Sequence, residues 1–140
     1  MIHEPISPLS HILTLPRGTE IVSSIIEYCS SHKISSAWIS GLGSVEKATL
    51  ALYDLNEKQY FRQEFKGVRE IANLTGNVGL LEGKVVTHIH AILADQSFSA
   101  IGGHLDQGIV GATCEIIITP LSQPIVREHD NKIGLNLIKP

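Results

Sequence analysis

The stretch from Lys84 to Ala94 constrains this chain more than any other. It is dense in β-branched and apolar residues, the composition of a strand. Successive side chains of a strand point to opposite faces. Thr87, Ile89, Ala91 and Leu93 then form a plain core face, and Val86, His88, His90 and Ile92 form the other. Any fold of this chain must bury the first face and give two imidazoles a shared volume on the second. Phe98 to Leu105 is a second, shorter run that contains Gly102-Gly103-His104. Asp95-Gln96-Ser97 between the runs reads as a three-residue hairpin loop. That loop sets Ala94 opposite Phe98 and His88 opposite His104, with Cβ atoms roughly 4.5–5.5 Å apart. His90 becomes the diagonal neighbour at roughly 7–8 Å. A loop one residue shorter or longer turns His104 to the opposite face.

Three imidazole nitrogens at about 2.0–2.1 Å from one ion fit that spread, so His88, His90 and His104 are candidate metal ligands. The competing reading is a set of neutral histidines satisfied by hydrogen bonds in a pocket or at a subunit contact. Gly102-Gly103 lets a ligand or another backbone come close to the strand. The same glycines could instead mark a bulge.

The rest of the chain is strand-rich with one convincing helix. His11 to Leu15 reads as a strand closed by Pro16-Arg17-Gly18. Thr19 is a good N-cap, and Glu20 stands where the helix dipole favours an anion. Ile21, Val22, Ile25, Ile26 and Cys29 recur at helical spacing and predict an amphipathic helix to about Ser31. Ser36 to Ser40 reads as a short buried strand with Trp38, followed by a turn at Gly41-Leu42-Gly43-Ser44. That G-x-G has no third glycine and no long helix after it, so the dinucleotide fingerprint fails. Further strands are predicted at Ala48 to Tyr53, Gln59 to Phe65, Arg69 to Asn77, Ile109 to Thr119 and Ile133 to Ile138. Tyr53, Tyr60, Phe61 and Phe65 read as cover for the sheet. The sum is an α+β fold, mostly antiparallel sheet with one main helix, in a single domain over residues 1–140. Long sheets in a small chain leave edges, which an oligomer can cover.

Composition narrows the function. The chain has 140 residues, 43% hydrophobic and 18% charged, as a globular protein has. No apolar run is long enough to span a bilayer. Met1-Ile2-His3-Glu4-Pro5 lacks the basic and apolar segments of a signal peptide, so a cytoplasmic location is the expectation. Cys29 and Cys114 lie far apart in apolar segments and read as buried free thiols, with a thiol nucleophile the lesser alternative. The formal net charge is −3, and the eleven Lys and Arg are spread along the chain. Arg62, Lys66 and Arg69 are interleaved with Glu64 and Glu70, which reads as a solvated edge and not a nucleic-acid surface. Ser97 and Ser99 come near His104, but no G-x-S-x-G elbow accompanies them. His3, His11, His32 and His129 are scattered.

Several motifs together carry a resemblance. Gly41-Leu42-Gly43-Ser44-Val45, the run Gly67 to Asn77, His88-Ile89-His90, Gly102-Gly103-His104-Leu105 and Thr113-Cys114-Glu115-Ile116 occur in this order over nearly the whole chain. In this the chain resembles the plants and prokaryotes conserved (PPC) domain family, also called DUF296. The resemblance implies an antiparallel sheet core and assembly as a homotrimer. In plants the domain follows AT-hooks and mediates self-association and partner contacts, while prokaryotic members stand alone and often carry a DNA-binding label. This chain has no AT-hook, which with its acidic balance speaks against direct DNA binding.

The fold so implied is similar to that of acetolactate decarboxylase, which holds zinc with three histidines, two of them in an H-x-H. By that resemblance His88, His90 and His104 are the ligands and zinc the metal. Such a site keeps an open position for water or substrate. Glu70 is then a candidate general acid/base and Arg127 a candidate anion clamp, with Glu115 a weaker third. The alternative for Glu70 and Arg127 is that they pair across a subunit interface. Three functions stay open: a homotrimeric binding or regulatory module with a protein or small-molecule partner, a small metal-dependent enzyme acting on a small polar molecule, and DNA binding.

Overall fold

A computed structural model describes residues 10–139. The reading of Met1 to Pro5, His3 included, falls outside the described residues. The chain order is β1 (His11–Pro16), α1 (Ile21–Ser31), β2 (Ala37–Asp54), β3 (Gln59–Leu81), β4 (Lys84–Ala94), β5 (Ala100–Pro120), β6 (Val126–Asp130) and β7 (Leu135–Ile138). The seven strands form one sheet in the order β1-β5-β2-β3-β6-β7, with β4 pairing both β3 and β5. All pairings are antiparallel except β3 with β6. Because β2 also pairs β3 and β5, the four long strands close on themselves. The expected α+β fold with a mostly antiparallel sheet and one main helix is the one observed.

The core sits where the plain face of β4 meets the helix. Ile21, Ile25 and Cys29 of α1 are buried, as are Ile89, Ala91 and Leu93 of β4. The helix begins one residue later than expected. Glu20, not Thr19, is the N-cap, and its carboxylate accepts from the amides of Val22 and Ser23 at 3.1 and 2.6 Å. It also accepts from the Gly108 amide at 3.1 Å, which ties the helix start to β5. A longer acidic side chain that reaches two orphan helix amides and the Gly108 amide outcompetes the threonine hydroxyl.

The sequence reading divides strands that the structure joins. Gly41 to Ser44 is no turn: it lies within β2, and the register shifts between Gly41 and Gly43. Gly43 has φ 143, and a Cβ there would collide with the Thr113 carbonyl of β5. The glycine is needed for a close strand approach at a bulge, and a bulge bends a strand without ending it. Likewise Gly67 marks a bulge in β3, where Val45 faces Arg69 and Lys47 faces Lys66. The runs Phe98 to Leu105 and Ile109 to Thr119 join in β5, with Asp106 the extra residue between paired Leu105 and Gln107. Trp38 is also corrected: it is 49% exposed on the outer face, while its neighbours Ala37 and Ile39 are buried. The last strand is shorter than expected, and β6 carries no strand signal in sequence, since Val-Arg-Glu-His-Asp has neither an apolar run nor alternation.

Candidate metal centre and its cavity

The β4–β5 hairpin places the histidines, and its loop differs from the expectation. Ala94 pairs with Ala100, so the loop has five residues, 95–99, and His90 faces His104. The Asp95 carboxylate explains the length. It accepts from the Ser97 amide, the Ser97 hydroxyl and the Ser99 amide at 2.9, 2.6 and 3.2 Å. Phe98 sits at φ 63 and is 91% exposed, so it belongs to the loop and not to the strand. The register moves by two residues from the expected one. An even shift keeps every side chain on its face. His88 and His90 therefore exchange the direct and diagonal positions, and all three imidazoles still converge.

The local geometry follows from where strands part. His104 is flanked by His90 on one side and Ala51 of β2 on the other. Beyond this pair β5 stays with β2 while β4 stays with β3, where His88 faces Asn77. The strands splay at the histidines, and a cavity of about 510 Å³ opens there. Gly103 lies against the Ala51 backbone, where a Cβ would sit 3.0 Å from the carbonyl oxygen. Close backbone approach, not a bulge, is thus the use of the double glycine.

One potential ligand atom from each of His88, His90 and His104 lies within 4.8 Å of the others. The Nε2 atoms of His88 and His90 are 3.2 Å apart. Two nitrogens bound tetrahedrally at about 2.0–2.1 Å from one ion would be roughly 3.3 Å apart. The buried Nδ1 of His104 has no hydrogen-bond partner among the described residues. These features fit a three-histidine metal site. Burial, above all, pulls the His88 pKa down to about 4, with Arg127 and the other two histidines adding to the effect. Burial also lowers that of His104, helped by His90. Neutral imidazoles are the form that binds metal. A divalent transition metal held here would keep an open position and act as a Lewis acid.

Of the candidate helpers, Arg127 stands in the cavity wall and Glu70 does not. Arg127 pairs with Leu81 through β6 and is only 8% exposed. Its Nη2 donates to Asn77 Oδ1 at 2.7 Å and its Nη1 to the Asn136 carbonyl at 3.0 Å. Glu70 is exposed and faces Ala94, at the far end of β4 from His88. Glu115 is exposed and paired with Thr14 and Leu42. Tyr60, which reads as sheet cover in the sequence, lines the cavity. Its ring centroid lies 5.3 Å from that of His104. Asn77 and Asn136 hold Arg127; Asn77 closes a family motif but has no site signal of its own in the sequence, and Asn136 has none. Cys29 and Cys114 are buried free thiols, as expected, and burial raises both pKa values to about 11.

The chain matches the Plants and Prokaryotes Conserved (PCC) domain over residues 6–122. It belongs to that family. Among solved structures, a metal-containing protein of Archaeoglobus fulgidus is 32% identical, with TM-score 0.89 over 100% of this chain and 99% of that one. A protein of Bacteroides thetaiotaomicron, provisionally described as DNA-binding, is 30% identical, with TM-score 0.90 over 93% and 91% of the two chains. A plant- and prokaryote-conserved protein of Pyrococcus horikoshii is 28% identical, with TM-score 0.89 over 100% and 98%. Acetolactate decarboxylase of Bacillus subtilis reaches TM-score 0.46 at 15% identity, over 86% of this PCC chain and 56% of the enzyme. Comparison with curated proteins finds no match. Arg127 and the strands β6 and β7 lie beyond the span matched to the PCC domain.

Proposed function

We propose that this PCC protein is a homotrimeric binding module whose three histidines hold a divalent transition metal, zinc first among them, at the mouth of a small-molecule cavity. The observation that carries the reading is the convergence of His88, His90 and His104 beside an orphaned, buried Nδ1. The metal-containing relative from Archaeoglobus fulgidus supports it. Trimer assembly is supported by an apolar outer face. Ile12 and Ile117 pair across β1 and β5, and Trp38 and Leu42 stand on β2 beside them, all at least 48% exposed. An apolar patch of this kind marks a protein contact. The site is open to the cavity, and this favours a second reading, a small metal-dependent enzyme acting on a small polar molecule.

DNA binding is disfavoured by charge. Six of the eleven Lys and Arg, namely Arg17, Lys47, Arg62, Lys66, Arg69 and Lys139, are paired with carboxylates. A DNA complex would have to lose affinity steeply with salt. Native mass spectrometry of the zinc-incubated protein tests the main reading. It should show three chains carrying three metal ions. A metal-free species would remove the metal site, and a monomer would remove the trimer.

A further inference from the structure

Among the described residues, the guanidinium of Arg127 is a buried cation without an anionic partner. None of the ion pairs among the described residues includes it. Its two hydrogen bonds go to neutral acceptors, and its Nε has none. Among the described residues, no Asp or Glu lines the cavity into which it faces. A desolvated charge of this kind is costly unless an opposite charge meets it. The planar fork of arginine matches a carboxylate in two parallel hydrogen bonds. The remaining wall is largely hydrocarbon: Leu52, Leu81, Val86, Leu135 and Leu137.

We propose that the cavity binds a small monocarboxylate, with its carboxylate on Arg127 at the histidine end and its hydrocarbon part along the leucine wall. The proposal rests on the metal reading for one feature only: a cation at the histidines would strengthen the pull on the same carboxylate. Inorganic phosphate would leave the apolar wall unused. A cavity of about 510 Å³ sets the size as that of a metabolite, not a polymer.

Isothermal calorimetry of the zinc-incubated protein with butyrate, butyramide and inorganic phosphate tests this, with metal content measured in the same samples. Butyrate should bind at one per chain. Butyramide, of the same shape without the charge, should bind about tenfold more weakly or worse. Arg127→Met should weaken butyrate by a similar factor and leave metal content unchanged. Should that variant not fold, Leu52→Glu serves in its place. Leu52 is 67% exposed, and a carboxylate there should repel the ligand and weaken butyrate several-fold. Equal binding of butyrate and butyramide, tighter binding of phosphate, or butyrate binding indifferent to both substitutions would overturn the proposal. Protein that holds metal and ignores butyrate keeps the metal reading and loses this one. Protein that takes no metal but binds butyrate through Arg127 does the reverse.

Discussion

The two faces of β4 are built from the same eleven residues and do opposite things. On one face Ile89, Ala91 and Leu93 are all at most 2% exposed and pack in the core that receives α1. On the other, His88 and His90 look into an open cavity with Arg127. The strand period alone separates them. The odd residues pack the core and the even ones carry the candidate ligand site, so the two should be separable by substitution.

The largest expected effect breaks the core face. Ile89→Ala should cost about 2–5 kcal/mol, read as a lowered denaturation midpoint, because it leaves a void between β4 and its packing partners. If Ile89→Ala cost under about 1 kcal/mol, the odd face would not carry the fold. A smaller effect sharpens the cavity face. In the metal-free protein His88 has a pKa of about 4, against the ordinary 6.5 of the unfolded chain. Between these values the unfolded chain binds the proton and the folded chain does not, so stability falls as pH drops from 6.5 towards 4 and levels off below. Denaturation midpoints across that window check it, and a His88→Asn variant should flatten the slope. The smallest effects lie away from both faces. Glu70→Gln, at an exposed position, should change stability by no more than about 0.5 kcal/mol and leave metal content untouched. The thiols of Cys29 and Cys114 should stay unreactive towards a thiol reagent at pH 8 until the protein unfolds, since burial holds both pKa values near 11.

The faces of β4 were legible because period-2 patterning survives any even error in register. The loop length was not, since it depends on Asp95 gathering Ser97 and Ser99, which no apolar pattern records. Gly43 and Gly67 read as breaks because a bulge and a turn call for the same residue. The three histidines were visible from spacing and from the family's motifs alike. Tyr60, Asn77 and Asn136 were not, because they reach the site only through the closure of β2 to β5 and the parallel docking of β6. Glu70 is a candidate only through the resemblance, and the register sets it opposite Ala94, at the end of β4 away from His88.

Elemental analysis of untagged protein purified without chelator, beside a His88→Ala/His90→Ala double variant, tests the central claim most directly. The account predicts about one transition-metal ion per chain in the parent and none in the variant, with unchanged circular dichroism in both. A parent that stays metal-free after incubation with zinc, or a variant that keeps its metal, would contradict it.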